Sequence, residues 1–479
     1  MSLMRVVVAV VGFSYLLAVN GGAAPDGKQL FTQQCASCHG PQGTGDGPAA
    51  KYVYPKPRDF TRGTFKVRST PDGTLPTDAD LLKTITAGMP GSAMPSFAYL
   101  SDADRQALVA HVKTLITRKS DTPATPIEVG QEPAVTPATL AEGKQLYAKM
   151  QCFKCHGETG VGDGPSANTL KDSWEYPIKV RDFTSGIYLG GPTDRDLYLR
   201  FTTGMSGTPM PSFQEQLTDA QRWALVQYVQ SLRVPHEEFV APKDNVIVAK
   251  RGAIEKAQDN QIPVMALWPC PHPLHGVHVK AAHNGKQLTI ALEWDAPEPS
   301  HSAVGMQQFR DGAAVQFSLN GTYPFLGMGD KENPVNVWHW KSDWQAEVDG
   351  ARADVDTAHP RLHVDDYPRK EAIFVTARAA GNLIAAGERK SPVEDLIAIG
   401  FGTLASQPAA EQNVTGKGTW KDGKWRVLFV RDLVSNDKAD RQFKIGDTVP
   451  VSFGVWAGEH GDRDGQKAVS TWFNLKLEK

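Results

Sequence analysis

Residues 27 to 213 carry one ordered set of motifs written twice, and this repeat constrains the fold more than any other feature of the chain. Gly27-Lys28-Gln29-Leu30 returns as Gly143-Lys144-Gln145-Leu146, and Cys35-Ala36-Ser37-Cys38-His39-Gly40 as Cys152-Phe153-Lys154-Cys155-His156-Gly157. In the first copy Gly45-Asp46-Gly47-Pro48, Arg58-Asp59-Phe60-Thr61 and Met94-Pro95-Ser96-Phe97 follow. The second copy answers with Gly162-Asp163-Gly164-Pro165, Arg181-Asp182-Phe183-Thr184 and Met210-Pro211-Ser212-Phe213. The offset is 116 or 117 at most anchors and 123 at the Arg-Asp-Phe-Thr motif, so the copies are one domain differing by small loop insertions. Each copy closes on a helix signal. Ser101 with Asp104, and Thr218 with Gln221, stand as N-cap and third-position partners. Leu108, Val112 and Leu115, then Leu225, Val229 and Leu232, follow at i, i+4 and i+7, one apolar stripe per helix. Two small helical domains are expected over residues 25–118 and 139–234, joined by a proline-rich, aperiodic linker at 119–138.

Ahead of the first copy, Met1 to Arg5 carry one positive charge, a 14-residue apolar run follows, and Gly22-Ala23-Ala24 supply small residues at a cleavage point. A bilayer span needs about 20 residues, so 1–24 reads as a signal peptide for export to the periplasm, with membrane association through an uncleaved leader as the alternative. A single arginine argues against the twin-arginine route. The 479 residues fit about three domains. Lys and Arg number 51 against 53 Asp and Glu, a net charge of −2, so no whole-chain basic field draws nucleic acid. Five cysteines are too few for a disulfide scaffold of this length.

After a second break at about residues 235–245 the character of the chain changes, and nine of its eleven tryptophans lie beyond residue 243. Short alternating runs at 288–294, 313–319, 371–377, 425–430, 449–456 and 470–477 predict strands. Asp422-Gly423 between Trp420-Lys421 and Lys424-Trp425 predicts a type I′ hairpin, because both central residues of that turn need positive φ. Residues 246–479 are expected to form a β-sandwich.

The clearest chemistry lies in the two Cys-x-x-Cys-His motifs. Their spacing lets Cys35 and Cys38, and Cys152 and Cys155, bond covalently to haem vinyl groups while His39 or His156 reaches the iron, the c-type attachment signature. A redox dithiol and half a zinc site are the competing readings, which the duplication in an exported chain disfavours. A second ligand is expected about half a domain later. Met94 stands 55 residues after His39 and Met210 stands 54 after His156, each just ahead of the last helix. A thioether favours reduced iron and suits electron transfer. Met89 and Met205, each five residues earlier, compete for the role.

On these motifs residues 25–234 resemble tandem class I dihaem cytochromes c. The resemblance implies two all-α domains with one covalent haem each, His39 and His156 proximal, Met94 and Met210 distal. Arg58 and Arg181 then have two readings, as partners of haem propionates or as ordinary surface arginines. Beyond residue 246, three ordered segments carry a second resemblance. They are Asp311-Gly312-Ala313-Ala314-Val315-Gln316-Phe317, then Gly327-Met328-Gly329-Asp330 running to Pro334-Val335-Asn336-Val337-Trp338-His339-Trp340, then Gly465-Gln466-Lys467-Ala468-Val469-Ser470-Thr471-Trp472. Together they are similar to the haem-b-binding γ subunit of ethylbenzene-dehydrogenase and nitrite-oxidoreductase type molybdenum enzymes. This implies an all-β sandwich holding one non-covalent haem b between Met328 and Lys467, sheltered by its tryptophans, with Lys467 directed inward from a strand start.

The implied architecture is two all-α cytochrome c domains followed by an all-β sandwich. The implied function is a three-haem relay, itself without a catalytic residue, between an iron–sulfur subunit beside a molybdenum catalytic subunit and a soluble cytochrome or respiratory-chain acceptor. A dihaem cytochrome carrying a carbohydrate-binding sandwich is the first alternative. A dihaem peroxidase is the second, and two filled Met-Pro sites speak against it. His339 is an alternative axial ligand if Met328 faces the core. Cys270 with His272, His275 and His278 has a metal-cluster reading, although the alternation at 274–279 fits a loop entering a strand.

Overall fold

The computed structural model describes residues 25–118, 123–235, 237–270, 273–353, 359–361, 382–383 and 389–479. The expected leader, the expected strand at 371–377 and His272 lie outside the described residues. Among the described residues no helix is long and apolar enough to cross a membrane.

The repeated motifs build repeated helices. The first domain contains α1 (Gly27–Gln34), α2 (Ala36–His39), α3 (Asp78–Ala87) and α4 (Asp102–Leu115), and the second contains α5 (Pro137–Lys149), α6 (Phe153–His156), α7 (Asp194–Thr203) and α8 (Asp219–Ser231). Ser101 caps α4 through the Asp104 amide, and Thr218 with Gln221 forms a reciprocal capping box on α8. Their apolar stripes face inward: Leu108 and Val112, and Leu225 and Val229, are buried. The repeated glycine at the start of α1 and α5 is set by close approach. A Cβ at Gly27 would strike the Ala107 carbonyl of α4, and one at Gly143 the Ala224 carbonyl of α8. The first and last helices of each domain thus cross at backbone contact. Helix α5 begins at Pro137, inside the stretch expected to be linker, because proline at the first helical position presets φ and gives up only an amide that would be orphaned there. The rest of that stretch runs along both domains: Ile127 donates to Ser69 O at 2.8 Å, and Gln227 Nε2 to Pro133 O at 2.9 Å.

The third domain is a sandwich whose two sheets share one strand. In one sheet Thr415–Lys421, Lys424–Asp432, Gln287–Asp295 and Gly276–His283 lie side by side. In the other the order is Phe473–Leu477, Thr448–Trp456, Gly312–Ser318, Val335–Lys341, Val393–Ala398 and Ala405–Ser406. Strand Val246–Arg251 belongs to both, pairing in parallel with Asn474 to Leu477 through residues 246–249 and with Ala282 and His283 through Lys250 and Arg251. The expected hairpin is present: Asp422 and Gly423 take φ of 52° and 77°, and Trp420 pairs with Trp425. The strand expected at 470–477 begins only at Phe473. Among the described residues the α-helix α9 (Ser342–Val348) departs from the all-β expectation.

Trp294, Trp340 and Trp425 fill the space between the sheets, with Trp425 4.8 Å from Trp340 and its Nε1 donating to Asp311 at 2.8 Å. Replacing Trp425 by Ala is expected to cost about 3–5 kcal/mol, read as an earlier midpoint for the fluorescence transition of the β domain in urea.

Candidate functional site

The Arg-Asp-Phe-Thr motif explains how the histidine of each Cys-x-x-Cys-His motif is held. His39 Nδ1 lies 2.9 Å from Arg58 O, and His156 Nδ1 lies 3.1 Å from Arg181 O. A carbonyl only accepts, so each Nδ1 donates and Nε2 is left with the lone pair that an iron would take. The phenylalanine of the same motif stacks on the ring, Phe60 at 4.3 Å from His39 and Phe183 at 4.1 Å from His156. The aspartate folds the motif by accepting from the threonine amide, at 2.9 Å in Asp59–Thr61 and 2.8 Å in Asp182–Thr184. Burial pushes both imidazoles down to about 4, which favours the neutral ring that a metal would need. Burial likewise raises the Cys35 thiol to about 12, with Cys38 adding to the rise, and raises Cys38 and Cys152 to about 11.

Each attachment motif opens on a large cavity. One of about 1260 Å³ is lined by Cys152, Cys155, His156, Met205 and Met210. The other, about 1150 Å³, is lined by Cys35, Cys38, His39, Met89 and Met94, and also by Met328, Lys467 and His339 of the third domain. The candidate c-type site of the first domain and the candidate b-type site are therefore walls of one chamber. Lys66, Met89, Met94, Met265 and Trp268 line both cavities, so the three candidate sites adjoin. Both methionines of each distal loop reach its cavity, and each loop is closed in the same way, Met89 N on Met94 O and Met205 N on Met210 O, both at 3.1 Å.

The third-domain site lies where strand alternation puts it. Ala313, Val315, Trp338 and Trp340 point into the sandwich, while Gly312, Ala314, Gln316, Val337, His339 and Lys341 line the chamber from the opposite face. This corrects the expectation that the tryptophan-rich interior shelters the site. The cover comes from the first cytochrome domain, through Tyr99 on Tyr323 at 4.8 Å, Gln34 Nε2 on Tyr323 O at 2.6 Å and Thr471 Oγ1 on Ser96 O at 2.6 Å. Met328 lines the chamber with φ of 74°, a left-handed conformation that costs a non-glycine residue on the order of 1–3 kcal/mol. Its backbone is fixed by Gly400 N on Met328 O at 2.9 Å. Lys467 stands 5.0 Å from the Trp456 ring, on the chamber side of the sheet, and burial pushes its ammonium down to about 8, toward the neutral amine a metal needs. His339 stacks on the same Trp456 at 4.7 Å, with its own imidazole driven well below its ordinary value by burial and by Lys341.

The surroundings suit an acidic, planar, apolar group. Arg58 Nη2 is buried without a hydrogen-bond partner. Burial and the Arg58 charge bring Lys66 down to about 8, so positive charge is concentrated where the two cavities meet and carboxylates would relieve it. Haem propionates fit that requirement, and the Met, His and Cys residues fit the iron and vinyl groups. Both arginines are half-buried and reach across the boundary between the cytochrome domains: Arg58 lies 4.2 Å over the Trp174 ring and Arg181 Nη2 donates to Gly91 O at 3.2 Å. Lys66, Gly91, Trp174 and Gly207 escaped the sequence reading. The offset of 116 between Met89-Pro90-Gly91 and Met205-Ser206-Gly207 is the signal that points to the glycines. The metal-cluster reading near Cys270 finds no support among the described residues, where His278 is instead held by Asp259 at 2.7 Å and by Glu237.

Substituting both Cys35 and Cys38 by Ser is expected to remove one of two covalent haems, counted by mass on denatured protein, and the same change at Cys152 and Cys155 the other. Met94→Ala and Met210→Ala should each abolish the sulfur-to-iron charge-transfer absorption of one haem. The same loss from Met89→Ala and Met205→Ala instead would assign the ligands to the first methionine of each loop.

Comparison with known proteins agrees with this division. Residues 24–115 and 140–233 match the cytochrome c family, and residues 271–468 match the family described as ethylbenzene dehydrogenase. The chain is 26% identical over 233 residues to the chlorate reductase gamma subunit of Ideonella dechloratans, covering 47% of this chain and 76% of that one. It is 29% identical over 210 residues to the dimethylsulfide dehydrogenase gamma subunit of Rhodovulum sulfidophilum, covering 43% and 62%. A chain of the reducing HAO-like protein complex of Kuenenia stuttgartiensis is 44% identical, with 44% of this chain and 96% of that one covered and a TM-score of 0.42. The share of the curated relatives' own length that is spanned is partial, 62% and 76% in these two cases and 55% in a third. The chain belongs to the cytochrome c family through its first two domains, and its third domain matches the ethylbenzene dehydrogenase family over residues 271–468.

Proposed function

We propose that this chain is an exported, non-catalytic electron-transfer subunit holding two covalent c-type haems and one non-covalent b-type haem. The c-type groups are held by Cys35, Cys38, His39 and Met94, and by Cys152, Cys155, His156 and Met210. The b-type group is held by Met328 and Lys467. Bound haem supplies a one-electron iron couple, and this chain's part is to fix the ligands, exclude water and set the three sites next to one another. Its partners are an iron–sulfur subunit beside a molybdenum catalytic subunit of nitrite-oxidoreductase type on one side, and a periplasmic cytochrome or the respiratory chain on the other.

The observation that carries this reading is the shared chamber. One cavity of about 1150 Å³ is bounded by the attachment motif of the first domain and by Met328 and Lys467 of the third, and it adjoins the cavity of the second domain at Lys66, Met89 and Met94. Electrons entering at the third domain then have a continuous route through the first domain to the second. The relatives named as gamma subunits of chlorate reductase and dimethylsulfide dehydrogenase support a place beside a catalytic partner.

A haem inventory tests the cofactors. Acid–acetone should extract one haem per chain and leave two attached. Met328→Ala or Lys467→Ala should abolish the extractable haem while both covalent haems remain. Because the first domain covers the third-domain site, residues 246–479 alone should hold haem more weakly than the full chain. Purification from the native host should bring down an iron–sulfur subunit, and the isolated chain should be redox-active without turnover. Rapid peroxidase turnover by the isolated chain, or an extract without haem, would defeat the proposal.

A further inference from the structure

Taking the first two domains as haem-bearing, on the reading proposed above, we infer that Arg58 and Arg181 are positioning residues that act crosswise, each tying the proximal histidine of its own cytochrome domain to the distal methionine loop of the other.

Each arginine has two ends, fixed in different domains. The carbonyl of Arg181 takes the Nδ1 hydrogen of His156 at 3.1 Å, while its guanidinium donates to Gly91 O at 3.2 Å, at the tip of the loop between Met89 and Met94. The carbonyl of Arg58 takes that of His39 at 2.9 Å, while its guanidinium crosses to Trp174 and Gly207, in the loop between Met205 and Met210. A Cβ on Gly207 would lie 2.8 Å from Arg58 Nη1 and equally close to the Trp174 ring, and at Gly91 the Arg181 guanidinium leaves room only for hydrogen. Both glycines have positive φ, 71° and 77°, so the loop tips are turned by residues that also let the arginine in. The exchange is reciprocal because the domains are copies: the same motif arginine meets the same loop glycine in both directions.

Further bonds hold this boundary. Arg68 Nη2 donates to Thr203 O at 2.8 Å, at the end of α7 next to the distal loop, and Ser206 Oγ meets Asp72 at 2.8 Å. Arg200 returns the contact through Lys66 O at 2.9 Å, and Lys83 pairs with Asp196. Within its own domain each loop is closed by Met89 N on Met94 O or Met205 N on Met210 O, and by Ser92 Oγ on Met89 O or Thr208 Oγ1 on Met205 O, both at 2.7 Å. The Gly91 carbonyl points away from these closures and meets the other domain. A thioether–iron bond depends on where the loop holds the sulfur, so a fixture outside the domain governs the bond inside it. The two directions differ in kind. Arg181 holds Gly91 by a hydrogen bond, whereas Arg58 holds Gly207 by packing through Trp174, so the effect of Arg181 should be the larger.

The test is done in full-length holoprotein carrying Met210→His, which converts the second-domain site to histidine–histidine ligation and leaves the sulfur-to-iron absorption reporting on the first domain alone. In that background Arg181→Gln, a change in the second domain, should lose the absorption and lower the reduction potential of the first-domain haem, with two covalent haems still counted. Arg181→Lys keeps the charge and gives up the reach to Gly91, and should also lose the absorption. A purely electrostatic role would leave the lysine variant unchanged. The mirror experiment, Arg58→Gln with Met94→His, should weaken the second-domain absorption. If Arg181→Gln and Arg181→Lys leave the first-domain absorption and potential as they were, or disturb only the second-domain haem, the crosswise role is wrong. Failure of Met210→His alone to remove one of two sulfur-to-iron absorptions would indict the ligand assignment, a separate outcome from failure of the crosswise link.

Discussion

The outer face of the sheet containing Gly312–Ser318, Val335–Lys341 and Thr448–Trp456 is buried although it carries Gln316, His339 and Lys341 among small and apolar residues. Gly312, Ala314, Val337, Gly454 and Trp456 leave a shallow, largely apolar floor there, and among the described residues of the third domain no helix lines the chamber over it. The first cytochrome domain closes it, with Tyr99, Gln34 and Ser96 meeting Tyr323 and Thr471. Burying that floor is what makes one chamber out of two candidate haem sites. It also encloses Lys467, whose ammonium burial pushes down to about 8. The buried Lys341–Glu394 ion pair on the same face is tolerable for the same reason, each charge having the other as its partner once water is excluded.

The boundary between the cytochrome domains follows a second constraint, the concentration of positive charge around Arg58, Lys66 and Arg181. Desolvated cations without matched anions are costly. Trp174 shares the cost on one side, Gly91 O on the other, and Asp172 opposes the downward drift of Arg58, which burial carries to about 10. The orphaned Arg58 Nη2 marks where compensation is incomplete within the protein itself. That imbalance would be relieved by carboxylates, and haem propionates would supply them. The junction docks the two domains and holds the carbonyls that orient His39 and His156.

Much of this was legible in the residue order. Two attachment motifs, two Met-Pro loops, both closing helices with their caps, and the Asp422-Gly423 turn are local devices, fixed by spacing and φ preference within a few residues. The expected strands at 288–294, 313–319, 425–430 and 449–456 were found with small shifts at their ends. Others gave weaker signals. Val393–Ala398 carries Glu394 and Asp395 in a buried strand, where Lys341, Asn336 and Gln407 partner them, and so breaks the apolar pattern that marks a strand. Val246–Arg251 splits its pairing between two sheets, which no local pattern announces.

The sequence by itself determined which residues are chemically able to hold haem, because attachment depends on cysteine, histidine and methionine at short spacing along the chain. It also determined the duplication and the change to a β domain, which are matters of pattern. Only the tertiary structure decided which face of the third domain bears Met328 and Lys467, what covers that face, and that the motif arginines serve the opposite domain. Strand alternation allows either face to be buried until a partner surface is present, and a guanidinium reaches about as far as the neighbouring domain allows. These outcomes depend on contacts between residues separated by a hundred or more positions, as in Arg181 with Gly91 and Thr471 with Ser96, and no local preference encodes them.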